Sequence, residues 1–490
     1  MIYDLLIIGG GINGAGIACD AAGRGLSVYL CEMNDFASGT SSNSSQLIHG
    51  GLRYLEQYQF GLVRKALKER EVLSKKVPHL IHPLAFVMPY HRQRRPWWLL
   101  KTGLWLYDHL ARNTLPNSVS RLLANEYKPL KIPYQKGFKF YDCWGNDARL
   151  VIANLMQAQE LGATVHNYHQ CISVNSGDGM WETQIKNIQT GNINTIKART
   201  IINAAGPWAD KINNLITGQP HSPKLRLVKG SHIIVKKWYE GEHGYLLQTD
   251  DIRVVFIIPL GEFVIIGTTE QIVNGDFVST HIDRSEKNYL LQTINQYMKQ
   301  YLSEGDIIHT YSGVRPLFDD GTSNMSKTSR EYNLVYQEIN KAPLLNIYGG
   351  KITSYRILAE QAINKIKHLY PAIKQPWTKK TSLPGGGFDK TEKLFHDLKQ
   401  QYPWLDNLTL KHYVSCYGMN THRLLANTQV MKDLGIHFGH TIYQKEIDYL
   451  IKYEWAKTID DIIWRRTKYG LYLSSKEEEL LNDYIQNNTR

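Results

Sequence analysis

Residues Gly9-Gly10-Gly11-Ile12-Asn13-Gly14 carry the spacing G-x-G-x-x-G, directly after the apolar run at 3–8 (YDLLII) and directly before an alanine-rich stretch. Each glycine meets a separate demand. Gly9 allows the tight turn, Gly11 lets a pyrophosphate approach the backbone, and Gly14 lets the new helix lie close on the strand. The N–H groups and positive end of that helix, with Asn13 in its first turn, would face the phosphates. A second apolar run, Ser27 to Cys31, ends in Glu32, about 20 residues on, where an acid meets an adenosine ribose. A carboxylate there accepts from ribose hydroxyls and repels a 2′-phosphate, so NADP is disfavoured and FAD or NAD remains. A glycine turn alone is weak evidence; the strand before it, the helix after it and the acid beyond it make the pattern specific.

The next stretch separates the two dinucleotides. Residues 38–54, SGTSSNSSQLIHGGLRY, place Thr40, Ser41, Ser42, Ser44, Ser45 and Gln46 ahead of Leu47, His49, Gly50, Arg53 and Tyr54. Such a loop can wrap a diphosphate and run beneath a flavin, whereas an NAD dehydrogenase usually continues into another βαβ unit. This favours FAD. Later, Arg199 to Trp208 reads as a buried strand whose Ala204-Ala205-Gly206 end lets backbone approach a ligand at the sheet's carboxyl edge. Gly349-Gly350-Lys351-Ile352-Thr353-Ser354 presents N–H groups, an ammonium and a hydroxyl at the start of a helix, without the spacing of a P-loop. Arg315 and Arg330 lie near predicted strand ends. His232 sits at a strand edge, where a lone histidine more often serves structure than catalysis.

The runs GGGINGAGIACDAAGRGLSVYLCE and TSSNSSQLIHGGLRYLE, followed in order by KGSHIIV, IIGTTE, YSGVRPL, YGGKITSYR and EWAKTIDDIIWRRTKYGL, resemble the bacterial FAD-dependent respiratory glycerol-3-phosphate dehydrogenases. The resemblance covers essentially the whole chain. It implies oxidation of sn-glycerol 3-phosphate to dihydroxyacetone phosphate by hydride transfer to FAD, with electrons passed to a membrane quinone. It also implies a phosphate clamp of Arg53, Arg315, Arg330 and Lys351, assisted by Tyr54 and Thr353, in which arginine's fork of donors suits a dianion. A base must reach the alcohol proton, and an ordinary histidine titrates at about 6.5. His232 is the first choice and His49 the second, with Arg315 near the alkoxide. One departure lies inside the best motif: Gln46 stands where the family usually has lysine, which removes a charge near the flavin. Oxygen as acceptor, giving hydrogen peroxide, stays open. An amino- or 2-hydroxy-acid oxidase on the same fold would need only one arginine for its carboxylate, and a non-enzymatic flavin-binding protein would need no such histidine.

The elements that must position these residues read as α/β, α+β overall. A Rossmann-like FAD-binding domain of the glycine/amino-acid oxidase type is expected over 1–80, 141–228 and 310–374. An antiparallel β substrate domain is expected over 81–140 and 229–309, and a C-terminal α-helical domain over 390–490, behind a Pro/Gly linker at 375–389. A helix is predicted at 148–161 and a strand at 164–166, and 175–198 reads as polar and turn-rich. The runs HIIVKKW, RVVFIIPL and EFVIIGTT are β-branched, the last two joined through Gly261-Glu262 as a hairpin. Trp455, Ile459, Ile462 and Ile463 keep a helical period, and Arg465-Arg466 reads as a solvated or interdomain face.

At 490 residues the chain has length for two or three domains. No charged, apolar and cleavage-site pattern precedes the first strand, so export is not expected. The five cysteines, Cys19, Cys31, Cys143, Cys171 and Cys416, are scattered and never spaced C-x-x-C, which speaks against a zinc or other metal site and a redox-active disulfide. The net charge of +12 calls for an anionic partner or a reason to do without one. No nucleic-acid motif is present, leaving a phosphorylated substrate or an anionic lipid surface. Arg92, Arg94 and Arg95 precede Pro96, and a helix from there would place Trp97, Trp98, Lys101, Leu104 and Trp105 along one side. That helix is either interfacial or part of a core. No apolar run has transmembrane length, so the expected location is peripheral, on the cytoplasmic face of the inner membrane, with a homodimer as an admitted partner state.

Overall fold

The computed structural model describes residues 1–111, 114–219, 224–251, 253–273, 275, 277, 280–319 and 331–488. The run at 3–8 becomes the strand Ile2–Ile8 in the middle of a sheet covered on both faces. Leu5 and Ile7 enter one core with Ile17, Leu30, Val151, Leu155 and Leu358, and Leu6 and Ile8 enter the opposite core with Tyr29, Trp181, Ile201 and Leu344. A strand buried on both sides has no reason to alternate, which is why it reads as unbroken apolar sequence. The sheet order is Asn333–Ile339, Ala342–Tyr348, Ile193–Asn203, Ile2–Ile8, Val28–Cys31, Thr164–His166, parallel except at the Asn333–Ile339 edge. The helix Ile12–Gly23 packs on this sheet between Asp147–Glu160 and Tyr355–Ile366.

The segment expected to be turn-rich is instead an antiparallel meander, His169–Gly177, Met180–Asn187 and Ile193–Asn203. Its polar appearance has a simple cause: only alternate side chains are buried, as in Trp181, Thr183 and Ile185.

A second, mostly antiparallel sheet runs Gln271–Ile272, Leu225–Lys236, Phe263–Gly267, Val254–Leu260, Gly244–Gln248, Ile81–Pro89, Gly137–Gly145, Leu47–Ile48, and Ile307–Phe318 also pairs with Leu225–Lys236. The hairpin through Gly261-Glu262 is present. The strand Ile307–Phe318 thus lies wholly in this sheet, although the sequence reading gave 310 onward to the cofactor part. Beyond the linker, Thr391–Gln401, Asn407–Tyr417, Gln444–Glu454 and Ser475–Asn488 enclose a separate core around Leu398, Tyr413, Phe438, Ile447 and Leu481. Among the described residues there, the short hairpin His437–Gly439 with Ile442–Tyr443 departs from the all-helical expectation.

The Arg465-Arg466 pair is an interdomain face. Both guanidinium groups bind Asp35, Arg466 reaching its two oxygens at 2.6 and 2.9 Å, and Arg149 grips Glu454 in the same way. Buried pairs of this kind cost about 3–5 kcal/mol when one partner is removed, so they fix the helical domain against the dinucleotide sheet.

Candidate active site

The glycine turn, the Ser/Gly loop, the Ala205-Gly206 strand end and the Gly349-Gly350 turn converge on one cavity of about 830 Å³. Gly9 has φ +116°, and a Cβ there would sit 2.5 Å from the Ala204 carbonyl oxygen. Gly14 packs against the Gly9 carbonyl, where a Cβ would meet the oxygen at 1.9 Å, so its role is to bring helix and strand together. The helix Ile12–Gly23 has no side-chain cap, and its N-terminus opens on the cavity. Ser41 Oγ accepts from the Ile12 N–H at 3.0 Å, which ties the loop to that terminus. Asn13 donates to the Gly349 carbonyl at 3.1 Å, and its buried Oδ1 has no partner among the described residues. Glu32 accepts from the Gly10 N–H at 2.7 Å and the Asn34 N–H at 3.0 Å. Burial pushes its carboxyl up, against the pull of those two donors. A helix start turned to the cavity and an acid just past the second strand are what a pyrophosphate and an adenosine ribose require. FAD fits this cradle.

At the other end of the cavity the wall is formed by the second sheet. His232 is buried, and its Nε2 lies 2.8 Å from Ser45 Oγ. Burial, then the nearby Arg315 charge, lowers its pKa to about 3, well below the unperturbed value assumed from sequence. Arg315 bonds Glu270 at 3.1 Å and Thr268 at 3.0 Å. Lys351 Nζ stands 3.9 Å from the centre of the Tyr54 ring. The His49 N–H donates to Thr353 Oγ1 at 3.3 Å. Arg53, Tyr54, His49, Arg315, Lys351 and Thr353 all line the same cavity as Gly9, Gly11, Asn13 and Glu32. So do Thr40, Ser41, Ser44, Ser45, Leu47, Ala205, Gly206, Gly350 and Ile352.

Four expected cofactor residues stand back from the cavity. Gly14 serves helix packing, and Ser42 lies half-buried in the turn Thr40–Ser42. Gly50 donates its N–H to Tyr107 at 2.8 Å, in a space where a Cβ would strike Leu67. Gln46 is buried at φ +54°, its carbonyl accepting from the Gly145 N–H and its Oε1 without a partner among the described residues. Arg330 lies outside the described residues. The tryptophan helix, Trp97–His109, divides its aromatics. Trp97 packs on Phe138 at 4.2 Å and Leu104 is buried, while Trp98, Leu99 and Trp105 are 67, 40 and 60 % exposed. Arg94 is bound to Asp250, and Arg95 to Glu56 and Gln248, so the basic run is largely committed inside the protein.

Tyr311 and Asp147 were missed. Tyr311 lies four residues before Arg315 on one strand, hence on the same face, a signal that the alternation of strand side chains supplies. Asp147 opens the helix Asp147–Glu160, and nothing local marks it as a neighbour of the loop. Among the described residues no group of three or more His, Cys, Asp or Glu side chains is placed to hold a metal.

A family profile described as FAD dependent oxidoreductase matches residues 4–356, and one described as the C-terminal domain of alpha-glycerophosphate oxidase matches 376–486. The chain is 46 % identical to a glycerol-3-phosphate dehydrogenase of Pseudomonas aeruginosa over 489 residues, covering 99 % of this chain and 95 % of that one. It is 45 % identical to a D-erythritol 1-phosphate dehydrogenase of Brucella abortus over 490 residues, covering 99 and 98 %. The crystal structure of the Bacillus halodurans glycerol-3-phosphate dehydrogenase complexed with FAD superposes with a TM-score of 0.76 at 24 % identity, covering 99 and 94 %, and shows the fold.

Proposed function

The chain belongs to the FAD-dependent oxidoreductase family, beside the glycerol-3-phosphate dehydrogenases, and from that footing we propose that it oxidises sn-glycerol 3-phosphate to dihydroxyacetone phosphate. FAD is its cofactor, and when bound it supplies the hydride acceptor. The observation that carries the reading is a buried, uncharged histidine in the wall of a cavity that also presents Arg53, Arg315 and Lys351. Those cations hold the phosphate. His232 takes the proton of the C2 hydroxyl. In the free protein Arg315 opposes a charge on His232; a phosphate dianion seated among the cations offsets that repulsion and makes the imidazole more basic when substrate is present. Arg315 then faces the developing alkoxide, and Leu47, Leu246 and Phe256 line the wall, lowering the local dielectric so that the guanidinium acts more strongly.

The electron acceptor we assign is a membrane quinone. The chain has no second dinucleotide fingerprint and no C-x-x-C. Leu99, Leu100 and Gly103 line the cavity from the helix Trp97–His109, whose outer side exposes Trp98 and Trp105. That places an apolar, Trp-bearing surface at the cavity's edge, suited to the headgroup level of a bilayer. Among the described residues no helix is long and apolar enough to cross a membrane, so the contact we assign is peripheral.

The near-equal identity to a D-erythritol 1-phosphate dehydrogenase favours one second reading, a four-carbon polyol phosphate with the same secondary alcohol and phosphate. Anaerobic addition of each substrate to the holoenzyme decides between them by bleaching of the visible flavin band. Faster bleaching by glycerol 3-phosphate is expected. Bleaching by D-erythritol 1-phosphate alone transfers the substrate, and bleaching by an amino acid alone sinks both readings.

A further inference from the structure

Lys468, in the helical domain, sits at φ +61°, a left-handed conformation that glycine adopts more cheaply. What it gains is a partner across the domain boundary: its Nζ lies 3.0 Å from Asp147 Oδ1, with the carboxylate fully buried and the lysine side chain 13 % exposed. Asp147 turns its other oxygen to the loop, accepting from Ser44 Oγ at 2.7 Å and the Ser44 N–H at 3.3 Å. Ser44 Oγ in turn accepts from the Gln46 N–H at 3.0 Å, which leaves its own hydrogen for Asp147. The Tyr311 hydroxyl donates to the Ser44 carbonyl at 2.9 Å, and its ring stacks on His232. The next residue, Ser45, holds His232 Nε2.

From this unbroken set of contacts we propose that Lys468 is a positioning residue of the oxidation site. By neutralising Asp147 it keeps the Ser44-Ser45 turn in the one arrangement in which Ser45 Oγ accepts from Nε2–H of His232. The buried Nδ1 of His232, which has no partner among the described residues, is then the bare lone pair that receives the alcohol proton. A neighbouring group that fixes the tautomer of a catalytic imidazole is a known requirement for such a base. Here the fixing charge comes from the separate helical domain, which gives that domain a part in the chemistry. The inference rests on the reading of His232 as base.

Lys468→Met and Lys468→Arg holoenzymes test it, with FAD content, melting temperature, single-turnover flavin reduction per bound FAD, and ¹⁵N-histidine NMR of the imidazole. Lys468→Met is expected to slow reduction per bound FAD by roughly tenfold or more with KM nearly unchanged. The His232 nitrogens should lose their single-tautomer pattern, and Lys468→Arg should restore both. If Lys468→Met lowers activity only in proportion to lost FAD or lost fold, the proposal is overturned. Should Lys468→Met prove too unstable to load FAD, Ser45→Ala carries the same test, and an unchanged tautomer pattern there overturns it equally. A His232→Asn enzyme with near-normal reduction would overturn the assignment of the base, while a tautomer shift in Lys468→Met would still establish the coupling.

Discussion

His232 and Tyr311 stack with ring centroids 4.6 Å apart and planes 11° apart, directly opposite one another on neighbouring antiparallel strands. On the other side His232 pairs with Gly267, where a Cβ would lie 2.1 Å from the imidazole Cδ2. The ring is therefore held between an aromatic face and a bare backbone, and rotation of χ1 is closed on both sides. A base held this way loses no orientational freedom when substrate arrives.

His232→Asn is expected to retain FAD and bind substrate yet reduce the flavin on the order of 10²-fold more slowly. Gly267→Ala should have a related effect by pushing the imidazole aside, with an overpacking cost of about 1–3 kcal/mol in stability. Stopped-flow reduction and thermal melting separate the two. Near-wild-type reduction in His232→Asn would move the role to His49 or to solvent.

Arg315→Ala should lower kcat more than Lys351→Ala does. Arg315 stands close enough to His232 to depress its protonation, whereas Lys351 lies over the Tyr54 ring. Loss of one donor to a developing oxyanion costs about 10²–10³ in turnover, while loss of a ground-state contact raises KM. Equal effects confined to KM would show that Arg315 only binds.

Stability should fall on acidification below about pH 6.5, an ordinary histidine's pKa. Burial, aided by neighbouring positive charge, holds both His232 and His79 at about 3. Between the folded and unfolded values the unfolded chain binds more protons, so unfolding free energy rises with pH across that window and is fully recovered above it. Melting temperature measured from pH 4 to pH 8 should climb through the lower half. The slope should be shallower in His232→Asn, and an equal slope would show that His232 does not titrate with unfolding.

Membrane contact, if made through the helix Trp97–His109, belongs to Trp98, Leu99 and Trp105. A Trp98/Leu99/Trp105→Ser variant should keep FAD and anaerobic reduction but lose salt-resistant sedimentation with anionic vesicles. Arg94→Gln and Arg95→Gln should instead lower the melting temperature, since those guanidinium groups hold Asp250, Tyr297, Glu56 and Gln248. Trp97→Ser should destabilise as a core substitution. Vesicle binding unaffected by the triple serine variant would place the contact on another surface.

The sequence by itself determined the dinucleotide turn, the acid after the second strand and the hydroxyl-rich loop. Each is a local demand met by residues a few positions apart, and periods of two and 3.6 are written into neighbouring positions. It likewise marked Arg53, Arg315, Lys351 and His232 as candidates. Only the tertiary structure decided that Ser45, Tyr311 and Gly267 enclose His232, and that Asp147 and Lys468 stand behind the loop. Those meetings depend on strand order and on the docking of a separate helical core, neither of which leaves a local trace. The basic, Trp-rich run shows the same division. Its helix was legible, but whether a given arginine faces lipid or a carboxylate of the same chain is settled by which distant residue, here Asp250 or Glu56, the fold brings beside it.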